Sequence, residues 1–321
     1  MGFLYSQLCQ SLPAPTQLYL GKTVVVTGGN VGLGREAARH FARQGATKVV
    51  LAVRNLEKGN AAADDIIKTT GRAKATIQVW QLDMGDYKSV KQFAERAKRE
   101  LDRIDIFLAN AGVAKMTFET VADNEEMITV NFISTFLLAL LMLPKLKETA
   151  QKFNTRPTLT ITSSEVHGHT NFPEKAAPSG QILRLLADAS QANMNERYPV
   201  SKLLGVFCVR AFAMRFPSHS YPVTVNCVNP GLCHSELARH LGFAMVIIKA
   251  ILARSSEVGS RTLVHAASSG PETHGQYLSD CKIALPSDFV LSAEGIEAQE
   301  RVWEELTQSL ERISPGIMAD L

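Results

Sequence analysis

Short runs of apolar, largely β-branched residues alternate with stretches of helical periodicity along most of the chain. Thr23–Thr27 (TVVVT), Lys48–Val53 (KVVLAV), Thr76–Leu82 (TIQVWQL), Ile104–Ala109 (IDIFLA), Thr158–Thr162 (TLTIT) and Val223–Val228 (VTVNCV) read as strands, with Gln276–Leu278 as a short seventh. Between them, Arg35–Gln44, Leu56–Lys68, Tyr87–Leu101, Asn124–Lys147 and Tyr198–Phe216 read as helices. Continuously apolar strands imply a sheet buried on both faces, which is the condition of a parallel sheet covered by its crossover helices. The pattern therefore predicts one α/β unit: a doubly wound parallel sheet of seven strands with helices on both faces.

Two stretches fall outside the alternation. Residues 165–197 are polar and broken by Pro173 and Pro178, with one helical patch at Gln181–Ala189; residues 232–256 are richer in apolar residues, including Leu241–Ala253. Both follow strands at the carboxyl edge of the sheet, where ligands bind in such folds, and are expected to be lids. Residues 1–20 form an N-terminal arm, 21–290 the α/β domain, and 291–321 a C-terminal helix (about Ala293–Ile313) and tail. The strongest apolar run, Phe132–Leu143, has 12 residues before Pro144. A membrane span needs about 20, so this is expected to be a buried helix.

Composition narrows the class. With 45% hydrophobic residues and a net charge of +3, the chain is too apolar for disorder and too evenly charged for a nucleic-acid binder. Its five cysteines (Cys9, Cys208, Cys227, Cys233, Cys281) are scattered and odd in number, which fits reduced thiols and a cytoplasmic location. The start MGFLYSQLCQ lacks a signal-peptide h-region. Gly2 and Ser6 match the loose myristoylation pattern, but Phe3 is bulky directly after the glycine, so an arm packed on the domain is expected.

The turn after the first strand runs Thr27-Gly28-Gly29-Asn30-Val31-Gly32-Leu33-Gly34-Arg35. Glycines between a strand and a helix let backbone N–H groups approach a pyrophosphate at the positive end of the helix dipole. An NAD site would place a carboxylate about 20 residues further on. Here the second strand ends Val53-Arg54-Asn55, with a guanidinium instead, so NADP(H) is expected, Arg54 facing the 2′-phosphate and Arg35 offering a second contact. Further along, Tyr198 and Lys202 stand four apart on one helical face. A phenol titrates near 10, and a neighbouring ammonium would bring it toward neutral-pH acid–base work. His167-Gly168-His169 has no third ligand at a sensible spacing, so no metal is expected.

Together these residues resemble the short-chain dehydrogenase/reductase superfamily, over about Gly21 to Asp280. The resemblance rests on the glycine turn, Leu82-Asp83, Asn110-Ala111-Gly112, Asn131, Ser163-Ser164, Tyr198-x-x-x-Lys202 and Asn229-Pro230-Gly231. Within the superfamily the chain is similar to retinol-dehydrogenase-like members through Val49–Gly59, Ser163–His167 and Gly275–Ser287; its first residues resemble fungal enzymes, many of them in secondary-metabolite pathways. The resemblance implies a Rossmann-like fold and a set of roles. Tyr198 would be the general acid, Lys202 its modulator and a ribose ligand, Ser164 (or Ser163) the substrate-oxygen donor, and Asn131 the holder of a relay water. Gly28, Asn30, Gly32, Leu33, Gly34, Asp83, Asn110, Ala111 and Gly112 would surround the cofactor. Pro230 and Gly231 would do so with Ser235, the hydroxyl that stands where the family often has threonine.

One departure limits this carry-over: Ser164 and Tyr198 are 34 positions apart (198 − 164), a longer gap than in the simplest members. The expected function is an NADP(H)-dependent oxidoreductase reducing a ketone or aldehyde of an apolar small molecule, the apolar Leu241–Ala253 motivating that substrate class. The rival readings are a retinol- or lipid-type alcohol dehydrogenase and a catalytically silent cofactor-binding scaffold. The latter is disfavoured because Tyr198 and Lys202 are both present. Peripheral membrane contact through the arm or Leu241–Ala253, and a homodimer built on the two long helices, complete the expectations.

Overall fold

The computed structural model describes residues 3–234, 252–319 and 321. Six strands run parallel: β1 (Thr23–Thr27), β2 (Lys48–Val53), β3 (Ile77–Gln81), β4 (Ile106–Ala109), β5 (Thr158–Thr162) and β6 (Thr224–Asn229). β7 (Tyr277–Ser279) continues the parallel set, and β8 (Lys282–Ala284) closes it antiparallel. The order β8-β7-β6-β5-β4-β1-β2-β3 places the reversal of strand order at β1 and β4. Among the described residues the sheet has eight strands where the sequence predicts seven. The extra strand arises because Asp280 and Cys281 adopt φ of 51° and 58°, the left-handed pair that a two-residue hairpin requires. Asp280 suits the first place of such a turn, but Cys281 stands where a glycine would announce it.

The helices divide into two layers. α1 (Gly32–Arg43) and α2 (Leu56–Thr70) cover one face together with α6 (Ser256–Ala267); α3 (Tyr87–Glu100), α4 (Ser134–Phe153), α5 (Met194–Arg215) and α7 (Ala293–Ile313) cover the other. Strand β1 serves both layers, Val24 and Val26 pointing to the first and Val25 to the second, all three with no exposed surface. Each such side chain contributes about 1.5–3 kcal/mol by burial, which is why an all-valine run is confined to a central strand. The helix Glu126–Phe153 is long and apolar enough to cross a membrane, yet 89% of its most apolar window is buried inside the fold, so it is the core helix the sequence predicts.

The stretch 165–193 is tied down on the second layer. Phe172 and Ile182 are fully buried, and Glu305 of α7 accepts from the backbone N–H groups of Ile182 and Leu183 at 3.0 and 2.8 Å. The predicted patch is a helix only over Ile182–Leu186, and α5 begins four residues before Tyr198. Helix α7 lies along α5, with Arg210 Nε donating to Gln299 at 3.1 Å and Phe212 stacked edge-on to Trp303. Ser235 and residues 241–251 lie outside the described residues, so the apolar part of the second expected lid has no structural account.

Candidate active site

The glycine turn is built for close approach. Gly28 has φ +66°, and a Cβ on Gly34 would stand 2.5 Å from both Gly28 O and Asn110 Nδ2. Only hydrogen fits there, and the helix start is thereby drawn against the end of β4. Thr27, a residue the motif reading passed over, fixes that junction: its Oγ1 accepts from the N–H groups of Asn110 and Ala111 at 2.9 Å, and its carbonyl accepts from Asn110 Nδ2 at 2.9 Å. Asn30, Gly32 and Leu33 are half-buried at the mouth of α1. Val31 at the N-cap of α1 has no side-chain oxygen to offer, whereas Asn55 and Asp86 cap α2 and α3. An anion is a natural acceptor for such uncapped amides.

Around this cradle the expected adenosine contacts take distinct positions. Asp83 Oδ1 accepts from Gly85 N at 2.9 Å, an Asx turn that fixes the carboxylate at the end of β3. Arg54 is exposed just past β2, and no ion pair among the described residues engages its guanidinium. Arg35 differs from expectation. Its Nε is 3.2 Å from Glu36 and its Nη1 3.9 Å from Asp65, so it is shared with carboxylates of its own layer and is a poor second phosphate contact.

Beyond β5 the residues with expected catalytic roles converge. Lys202 is buried, and its Nζ donates to the Thr162 carbonyl at 3.0 Å while lying 5.6 Å from the centre of the Tyr198 ring. A Cβ on Gly112 would meet Asn131 Oδ1 at 3.1 Å and Lys202 Nζ at 3.7 Å, so the end of β4 passes directly over both. Asn131 sits in a π-helical turn, Thr129–Ile133, of the kind that often marks a functional site. Its amide is committed to protein: Oδ1 accepts from Val113 N at 2.8 Å, and Nδ2 donates to Val113 O at 2.9 Å and to Ser201 Oγ at 3.0 Å.

The electrostatics reverse one expectation. Burial pushes the Tyr198 phenol up from its ordinary value and brings the Lys202 ammonium down to about 8. Burial penalises the charged form of each, so both groups are driven toward their neutral forms.

The two serines separate clearly. Ser163 is buried, its Oγ facing the Lys202 carbonyl at 3.5 Å. Ser164 is half-buried and its Oγ accepts from Val166 N at 3.3 Å, leaving the hydroxyl hydrogen to aim elsewhere. Ser164 is thus the better placed to meet a substrate. At the neighbouring turn Gly231 has φ +75°. Asn229, quoted for its motif but given no role, organises this corner. Its Oδ1 accepts from Glu165 N and Gly231 N at 3.1 and 3.0 Å, and its Nδ2 donates to Ser279 at 3.1 Å. Cys233 is buried against α6, where a Cβ on Gly259 would meet its Sγ at 2.2 Å, and its Sγ donates to the Pro230 carbonyl at 3.4 Å. His167 spends both ring nitrogens on backbone groups, at Ser164 O (2.7 Å) and Ser287 N (2.9 Å). A cavity of about 430 Å³ among the described residues, lined by Tyr87, Asn124, Arg184, Glu305 and Arg312, contains none of these groups.

Known proteins similar to this chain identify its family. The family model for short chain dehydrogenase matches residues 22–155. The short chain dehydrogenase/reductase dmxR8 of Cryptosporiopsis sp. (strain 8999) is 57% identical over 325 residues, covering 100% of both chains. The chain belongs to the short-chain dehydrogenase/reductase family. The short-chain dehydrogenase anuD of Penicillium roqueforti (strain FM164) is 42% identical over 99% of this chain and 84% of its own. Among solved structures, a 3-ketoacyl-(acyl-carrier-protein) reductase from Brucella melitensis complexed with NADH superposes with a TM-score of 0.61 at 18% identity, covering 81% of this chain and 97% of that one. At that identity the likeness shows the fold alone. As a member of the family, this short-chain dehydrogenase/reductase is an oxidoreductase.

Proposed function

We propose that this enzyme reduces a ketone or aldehyde of an apolar small molecule with NADP(H), in secondary-metabolite biosynthesis in the cytoplasm. The observation that carries the reading is the convergence of Gly112, Asn131, Tyr198 and Lys202 at one end of the sheet, beside a glycine cradle with uncapped helix amides. A dinucleotide fits that cradle: the points of close approach are glycine, and Arg54, exposed just past β2, is available to a 2′-phosphate. When bound, the nicotinamide supplies the hydride.

The chain's own groups do the rest. Ser164 Oγ–H would hold the substrate oxygen, and Tyr198 would give it the phenolic proton as negative charge develops there. Burial raises the Tyr198 phenol from its ordinary value, so it enters a reduction as the protonated acid. Lys202, fixed by Thr162, would stabilise the phenolate left behind and hold the ribose. Asn131 would orient Ser201 and the Val113 backbone around the relay path. The apolar substrate class rests on the sequence of Leu241–Ala253, and Ser235 remains a nicotinamide contact from sequence alone. The homodimer implied by resemblance would need a surface other than the α5 face that α7 occupies.

Tyr198→Phe is the direct test. Turnover of an NADPH-consuming substrate should fall by about 10²–10⁴-fold with NADPH affinity retained. Near-normal turnover would remove Tyr198 from the chemistry.

A further inference from the structure

The N-terminal helix Phe3–Cys9 is latched to the carboxyl edge of the sheet. Ser6 Oγ donates to Asp280 Oδ2 at 2.6 Å, in the turn between β7 and β8, and Arg254 donates to the Ser6 carbonyl at 2.5 Å. Arg254 also pairs with Asp280 Oδ1 at 2.8 Å. This latch lowers Gln7 onto the Pro230–Gly231 turn. A Cβ on Gly231 would lie 2.5 Å from Gln7 Nε2 and 2.9 Å from an Arg254 Nη1. Gln7 is 8% exposed and Arg254 7%, yet Gln7 Nε2, Gln7 Oε1 and Arg254 Nη1 have no hydrogen-bond partner among the described residues. Buried polar atoms are rarely left so, and two of these three crowd one glycine, which points to a ligand that completes the bonding.

We propose that Gln7 and Arg254 read the primary carboxamide of the nicotinamide at the Gly231 turn, with the N-terminal helix as a strap that holds them there. The inference rests on the cofactor reading above. The donor and acceptor balance selects the group. Gln7 offers two N–H donors and one acceptor, and Arg254 a further donor. A phosphate or ketone would leave Gln7 Oε1 unanswered, and a carboxylate would repel it. Glu165 and Asp280 stand beside the site, and each raises the cost of bringing a second anion there. A carboxamide presents both an oxygen and an NH₂, so it answers both edges of the Gln7 amide. Only the Gln7 side chain need rotate, since Ser6 keeps the strap in place.

Calorimetry with three ligands separates this proposal from the reading beneath it: NADP⁺, its 3-acetylpyridine analogue (carboxamide NH₂ replaced by methyl) and 2′,5′-ADP, which has no nicotinamide. The wild-type chain should bind NADP⁺ about tenfold more tightly than the analogue, the value of one hydrogen bond that the site would otherwise leave unmade. Gln7→Met, which keeps side-chain length and loses the amide, should bind both alike, with 2′,5′-ADP unchanged. Ser6→Ala, which loosens the latch and leaves Gln7 present, should erode the preference in part. A full preference in Gln7→Met, or none in the wild type, overturns the proposal. Failure of the wild type to bind either NADP⁺ or 2′,5′-ADP overturns instead the cofactor reading on which it stands.

Discussion

His167 donates through Nδ1 to the carbonyl oxygen of Ser164 at 2.7 Å. Its other nitrogen accepts from Ser287 N at 2.9 Å, which fixes the tautomer and ties the turn at Ser164 to the chain beyond β8. Burial lowers the His167 pKa below 6.5, so the ring is neutral where it works. As pH falls below 6.5 the unfolded chain takes up a proton that the folded ring resists, and stability falls with it. His167→Leu should cost about 1–3 kcal/mol from the orphaned Ser164 and Ser287 groups and lower kcat more than KM. It should also flatten the acid limb of the melting-temperature profile. An unchanged acid limb would show that His167 is not the group responsible.

How much of this was legible in the sequence depends on how local each cause is. The run Thr23–Thr27 declares a central strand because burial on both faces demands continuous apolar residues. The glycine turn and the Tyr198–Lys202 spacing are equally local. By contrast, Ser6 finds Asp280 across 274 positions, and Glu305 caps Ile182 across 123. No periodicity announces such pairs: the sequence predicts an arm without its latch, and a lid over 165–197 without its anchor. The hairpin at Asp280-Cys281 is hidden for a different reason: tertiary context holds Cys281 in a backbone region its type seldom adopts. The direction of the Tyr198 shift is hidden too, because spacing reports the charged neighbour and is silent on desolvation.

Gly34→Ala tests the cradle independently of the catalytic groups. The added methyl would sit 2.5 Å from Gly28 O and Asn110 Nδ2, and the first of these is backbone that cannot swing aside. Overpacking of this kind costs about 1–3 kcal/mol. The variant should melt earlier and lose measurable NADPH binding, as followed by quenching of protein fluorescence. Retained affinity would mean the dinucleotide does not use this turn.

Arg54→Ala tests cofactor choice. An exposed guanidinium with no ion-pair partner among the described residues is free to pair with a 2′-phosphate, and removing a charge-assisted bond is worth roughly 1.5–3 kcal/mol. NADPH affinity should drop about 10–100-fold while NADH affinity stays level, and the NADPH loss should shrink as salt is raised. Equal losses for both cofactors would place Arg54 elsewhere than at the 2′-position.

Lys202 gives the alkaline counterpart to His167. Its ammonium is brought down to about 8 from an ordinary 10.5 because burial penalises the charge. Between those two values the folded amine has released its proton while the unfolded one still holds it. The unfolded state therefore binds more protons, and this residue's contribution to stability rises with pH across that window. Below 8 the burial penalty is carried in full. Lys202→Met removes the titrating group and keeps the buried stem, so the variant should be relatively more stable than wild type at pH 7 and lose that advantage by pH 10.5. Melting curves of both proteins across pH 7–10.5 measure the difference directly. A constant gap between them would show that Lys202 is not titrating there, and its Thr162 contact would then be holding a permanent charge.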